Sequence, residues 1–157
     1  MLPGREGIKS LFAATGAVQV MPCILPTTSS MALQSALGGG IRALALSANS
    51  AVMTCLANDV GYDRIYCEQL AVQGREGDLL IVLSGSGNSP NIVSVLERAR
   101  AMNIKSYAIL GYSGGLSKEL ADLAIHFPVD DMQIAEDMQL IVGHMLMQWL
   151  YEQRPQV

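Results

Sequence analysis

Aromatic side chains make up only 5% of the 157 residues and charged ones 15%, against roughly 25% charged in an ordinary soluble domain. The shortage of charge is local. No Asp, Glu, Lys or Arg occurs from Ser10 to Ile41; of ten basic and fourteen acidic side chains, only Arg5, Glu6 and Lys9 precede that stretch. There is no basic excess, since the net charge is −4, which excludes the basic stripe of a direct nucleic-acid surface. There is no uninterrupted apolar run of about 20 residues, as a membrane span requires. Pro22, Pro26, Gln19, Gln34 and the Thr27-Thr28-Ser29-Ser30 run break the charge-free stretch. Arg5 and Lys9 before the weak apolar run from Leu11 to Met21 give it some likeness to a signal peptide. The chain beyond it reads as intracellular, so a cytoplasmic location is expected. Cys23, Cys55 and Cys67 are odd in number and contain no CxxC pair, so neither a disulfide framework nor a zinc knuckle is indicated. Disorder is excluded by a hydrophobic content of 50%.

From Arg42 onward, short apolar runs alternate with helical spacing. Ala43 to Leu46 is a candidate strand, followed by a helical pattern through Val52, Leu56 and Ala57. Asn58 to Tyr62 punctuates, and Ile65 to Val72 is helical again. Leu79-Leu80-Ile81-Val82-Leu83 is apolar throughout, which suits a strand buried on both faces of a parallel sheet. A helix then carries Ile92, Val95, Leu96, Ala99 and Met102, and strands follow at Lys105 to Leu110 and Leu123 to Phe127, with a short helix from Leu116 to Ala121 between them. Met132 to Glu152 is one long helix. This β-α-β-α order predicts an α/β three-layer sandwich with a mainly parallel sheet and right-handed crossovers. The last helix is apolar on nearly every face around Leu140-Ile141-Val142 and Met145-Leu146-Met147, so it must be buried. A chain this short scarcely encloses such a helix, which predicts packing against another subunit.

The segment richest in chemistry is Ser84-Gly85-Ser86-Gly87-Asn88-Ser89-Pro90. It follows the buried strand and opens a helix, with Ser89 as N-cap and Pro90 in the first turn. Free N–H groups at a helix start, with three hydroxyls, make a neutral phosphate cradle; a plain polar turn with a serine cap would use the same residues. No Gly-Lys-Ser/Thr follows, and the third glycine of a dinucleotide fingerprint is missing.

From Gly77 to Asn91 these residues closely resemble the phosphosugar-binding segment of sugar isomerase (SIS) domains, in the branch containing phosphoheptose (sedoheptulose 7-phosphate) isomerase. The resemblance runs from about Arg42 to Leu150 and includes Ala57-Asn58-Asp59-Val60-Gly61-Tyr62. It implies a flavodoxin- or Rossmann-like SIS architecture, a phosphorylated sugar as ligand, and a homo-oligomer, a tetramer in that branch. It places the substrate phosphate on Ser84, Ser86, Gly87, Asn88 and Ser89. Gly85 stands where Thr is common, and Asn49 where the isomerases usually carry Asp for a sugar hydroxyl. In the long helix the family shows Gln-Glu-x-His-x-x-x-x-His; here Glu136 replaces the Gln, Gln139 the intermediate His, and His144 keeps the last one. The resemblance makes His144 the acid/base group with Glu136 beside it in the catalytic set, and these two are the ligands if zinc is bound. No cofactor is certain. Eight residues separate them, about 12 Å of helix rise, so a shared site needs packing between subunits. His126, in a strand, reads as structural.

The family's first strand leads into a second phosphate loop, Cys-Gly-Asn-Gly-Gly-Ser-Ala, and a helix bearing His and, four positions on, the acid implied as general base. Nothing in residues 1–40 matches it as translated. Reading the third base of each codon with the first two of the next, from Phe12, gives a different result. Met21-Pro22 then forces Ala, Cys23-Ile24 forces His or Tyr, and Met31-Ala32 forces Gly. The positions between permit Cys-Gly-Asn-Gly-Gly-Ser-Ala-Gly-Asn-Ala-Met-His-Phe-Ala-Asn-Asp-Phe-Ile-Tyr-Gly, the missing loop with His and Asp at the family spacing. The expectation is that residues from about 10 to 38 were read in a shifted frame, restored near Gly38-Gly39-Gly40; codons unable to spell that string would exclude it. Residues 1–40 are accordingly set apart as an atypical, incomplete N-terminal segment, and 41–153 as the SIS domain. Two functions from different classes follow. One is phosphosugar isomerisation similar to the heptose phosphate reaction, impaired by the absent base. The other is a non-catalytic oligomeric SIS binding protein, such as a partner of a replication initiator or a sugar-phosphate sensor.

Overall fold

A strand that is apolar at every position must be covered on both faces, and one such strand organises this chain. A computed structural model describes residues 10–15 and 42–152. Their strands are β1 (Leu11–Thr15), β2 (Ala43–Ala45), β3 (Leu79–Ser84), β4 (Lys105–Leu110) and β5 (Leu123–His126). Their helices are α1 (Ser50–Asp59), α2 (Ile65–Gln73), α3 (Pro90–Ala101), α4 (Gly115–Leu120) and α5 (Met132–Glu152), with a 3-10 turn at Tyr62–Arg64. The sheet order is β2-β1-β3-β4-β5 and every pairing is parallel. β3, at the centre, is buried from end to end.

The strand period of two divides the apolar residues between two cores. On one face Phe12, Ala14, Leu46, Leu80, Val82, Ala108 and Leu110 pack against Ile65, Tyr66 and Leu70 of α2 and Ile92, Val95, Leu96 and Ala99 of α3. On the other, Leu79, Ile81, Leu83 and Ile109 meet Leu140 and Val142 of α5, with Leu11 and Phe127 at the margins. The result is the three-layer α/β architecture expected from the sequence, its sheet parallel throughout.

Two features refine the sequence reading. β1 was not among the anticipated strands, because Leu-Phe-Ala-Ala-Thr has two alanines and little β-propensity. It pairs with β2 on one side and β3 on the other, so the sheet reaches into the segment set apart as residues 1–40. Of the stretch assigned to a shifted frame, about 10–38, residues 16–38 lie outside the described residues. The second feature is α5. Within one chain, Ile134, Ile141, Met145 and Trp149 remain exposed, Met145 at 64% and Trp149 at 57%. Among the described residues, no helix is long and apolar enough to cross a membrane.

Candidate functional site

In a parallel sheet all strands end at the same edge, and ligands settle where successive connections diverge in opposite directions. The order β2-β1-β3-β4-β5 puts that divergence between β1 and β3, as in other doubly wound sheets. The chain leaves β1 toward β2 and leaves β3 toward β4. The loop 84–89 stands on one lip of this crevice, and Thr15, the end of β1, on the other. Topology alone therefore singles out the loop that the sequence singled out.

The loop is braced from within. Ser84, buried, accepts a hydrogen bond at its Oγ from the Gly87 N–H at 3.0 Å. The Ser86 hydroxyl, partly exposed, accepts from the Asn88 N–H at 3.2 Å. Ser89 is the N-cap of α3, but its side chain makes no capping bond, and Pro90 occupies the first turn. Neither the hydroxyl hydrogens of the three serines nor the backbone N–H groups of Ser86 and Ser89 have an acceptor among the described residues. A side chain at residue 85 would require Met132 to shift. A Cβ on Gly85 would come within 2.5 Å of the Met132 Sδ and 3.9 Å of Tyr112.

A second wall comes from the turn between β4 and α4. Gly87 has φ of +68°, and a Cβ there would collide with the Gly114 carbonyl. The Gly87 carbonyl accepts from both the N–H and the hydroxyl of Ser117, at 3.0 and 2.7 Å. The Asn88 Oδ1 accepts from the Leu116 N–H at 3.0 Å. His126 holds this turn from below: its Nε2 lies 2.8 Å from the Tyr112 carbonyl and its Nδ1 3.1 Å from the Lys118 Nζ. A carbonyl can only accept, which fixes the imidazole proton on Nε2 and leaves Nδ1 to accept from Lys118. The structural reading of His126 agrees with this. Tyr112, Ser117 and Met132 are contacts that the sequence did not signal, because turn and helix residues far apart in the chain carry no local pattern for them.

The other candidates lie along the same edge or down α5. Asn49 is the N-cap of α1, its Oδ1 accepting from the Val52 N–H at 3.2 Å. Asn keeps the cap that Asp would make, and its Nδ2 remains a donor. It sits beyond β2, two strand spacings or about 10 Å from β3, and lines an open cavity of about 440 Å³ with Ser50, Gln69 and Gln73. α5 starts at the ligand edge, where Met132 meets Gly85 and Ala135 closely approaches Gly111, and descends the sheet face. Gln139 is only 3% exposed and donates to the Ile109 carbonyl at 3.3 Å. Glu136 is half-buried and His144 exposed. Twelve residues from Met132, His144 lies about 18 Å down the helix. One chain therefore brings the serine loop and Asn49 to one edge and leaves His144 away from them. For the same reason Glu136 and His144 do not form a zinc site within one chain. Among the described residues, no three His, Cys, Asp or Glu side chains converge as metal ligands.

Known proteins resemble this chain in sequence and in fold. The family model described as SIS domain matches residues 13–111. The chain is 42% identical over 106 residues to the phosphoheptose isomerase of Akkermansia muciniphila, covering 68% of this chain and 56% of that protein. It is 36% identical over 107 residues to that of Helicobacter pylori, with the same shares. The chain thus spans about half the length of the curated relatives it matches. Among solved structures, a phosphoheptose isomerase from Francisella tularensis superposes with a TM-score of 0.78 at 26% identity, over 92% of this chain and 76% of that one. One from Neisseria gonorrhoeae has a TM-score of 0.77 at 21% identity, over 90% and 75%, a likeness of fold. The chain belongs to the SIS domain family.

Proposed function

We propose that this chain binds the phosphate of a phosphorylated sugar on the loop 84–89, and that isomerisation by it is impaired. The observation that carries the reading is the loop itself. It stands at the divergence of β1 and β3, its Ser86 and Ser89 N–H groups lack acceptors among the described residues, and three serines have hydroxyl hydrogens to donate. The similarity to phosphoheptose isomerases supports a sugar phosphate such as sedoheptulose 7-phosphate. Aldose–ketose isomerisation moves a proton between neighbouring sugar carbons, so it needs a base and an acid held at those carbons. Residues 10–38 as translated supply no acid in the place of the family's base, since that stretch has no Asp or Glu. His144 would reach a loop only across a subunit contact, with Glu136 nearer to its own loop.

The second reading, an oligomeric SIS protein that binds without turnover, is favoured by Gln139. It stands where the isomerases carry a His, and its amide is committed to the Ile109 carbonyl. One experiment tests both readings: thermal unfolding with and without sedoheptulose 7-phosphate, followed by a turnover assay on the same sample. Stabilisation without turnover is the expected result. No stabilisation by the sugar phosphate overturns phosphate binding, and turnover overturns the impairment.

A further inference from the structure

We infer that Ser117 is a positioning residue that locks the polarity of the phosphate loop; this rests on the reading of 84–89 as the phosphate site. Gly87 is in the left-handed region, at φ of +68°, and a glycine at such a turn lets the adjoining peptide plane rotate at little steric cost. A trans peptide is planar, with its C=O and N–H pointing in opposite directions. Whichever way the carbonyl faces, the N–H of Asn88 faces the other.

Ser117 settles that choice. It is fully buried (0% exposed) on α4, and it donates twice to the Gly87 oxygen, through its hydroxyl at 2.7 Å and its N–H at 3.0 Å. With the oxygen held against α4, the Asn88 N–H turns into the loop, where it meets the Ser86 Oγ at 3.2 Å. The Ser86 oxygen is thereby occupied as an acceptor and its hydrogen is directed outward as a donor. With the peptide reversed, a carbonyl oxygen would face the incoming phosphate and Ser86 would lose its partner. An anion site built without a cation depends on N–H and O–H dipoles, so one reversed peptide replaces an attraction by a repulsion. Two further contacts keep Ser117 in register. The Asn88 Oδ1 accepts from the Leu116 N–H. The Tyr112 carbonyl, on a residue at φ of +42°, is tied to His126.

The test compares the parent with Ser117→Ala and Ser117→Thr in the full chain, titrated with sedoheptulose 7-phosphate at a temperature where urea curves show all three folded. Alanine retains the N–H donor and suits a helix; threonine retains the hydroxyl. The expected result is that Ser117→Ala weakens binding by about three- to tenfold, the range of one net hydrogen bond, while Ser117→Thr restores affinity to within about twofold. Should alanine prevent folding, hydrogen exchange on the parent supplies the reading: saturating sedoheptulose 7-phosphate should leave the Ser117 amide protected and slow the Asn88 amide. Equal affinities of parent and Ser117→Ala, or an Asn88 amide unmoved by ligand, overturn the positioning role and leave the phosphate reading standing. No binding by the parent overturns both.

Discussion

Ser84 and Ser86 are two residues apart and of one chemical type, yet their surroundings give them different work. Ser84 is buried, and its Oγ is the acceptor for the Gly87 N–H. Ser84→Ala leaves that buried N–H without a partner, which costs about 1–3 kcal/mol. Urea unfolding should register the loss even in the absence of ligand. A titratable contact far from the loop gives the fold acid sensitivity. At Asp122, burial by itself raises the carboxyl pKa. The Ser106 N–H, the Lys105 ammonium and the Ser106 hydroxyl together outweigh that and hold it below its ordinary value of 3.8. Its oxygens meet the Ser106 N–H at 2.8 Å and the Lys105 Nζ at 3.1 Å, joining the starts of β4 and β5. A carboxyl depressed in the folded state contributes stability that is fully present above the unfolded pKa and is lost as pH falls through the folded one. Asp122→Asn is therefore expected to be less stable than the parent at pH 7, with the difference shrinking below about pH 3.8. Urea midpoints measured from pH 7 to pH 2 check this, and a difference that persists unchanged in acid would contradict it.

At the scale of elements, most of the fold could be read from period and punctuation. β3 was legible because five consecutive apolar residues follow Gly77-Asp78, and α3 because Ser89-Pro90 opens an amphipathic pattern. β1 was not, since Leu-Phe-Ala-Ala-Thr gains its place from β2 and β3 on either side rather than from its own composition. β5 was legible as a strand, but not as an edge strand with Leu123 and Ile125 exposed. The loop 84–89 was legible as a Gly-Ser segment after a strand. Its bracing was not, because Ser117 stands 30 residues from Gly87 and meets it only once β4 and α4 are in place. Gly85 shows the same limit. Its sequence reading is a missing hydroxyl; its structural setting is the close approach of Met132.

The whole molecule divides unevenly about its sheet. One face carries α1 to α4, while the other has α5 alone among the described residues, with Ile134, Ile141, Met145, Leu146 and Trp149 open. An apolar surface of this kind is the mark of an interaction site, and a second copy of the chain is the occupant we propose, because His144 reaches no serine loop within its own chain. Met145→Glu places a charge in that contact and is expected to convert an oligomer into monomers by light scattering on a sizing column; an unchanged mass would exclude this face as the interface. The local lack of charge, confined to Ser10 to Ile41, bears on the same division. It falls on the stretch where the family keeps its second phosphate loop and its base, so binding and turnover are expected to part company in this chain. Calorimetric titration of the parent and of Ser86→Ala with sedoheptulose 7-phosphate decides whether the loop 84–89 holds the phosphate. Saturable binding by the parent is expected, weakened about tenfold or more in Ser86→Ala, as befits a hydrogen bond to a charged group. Equal binding by the two would contradict it.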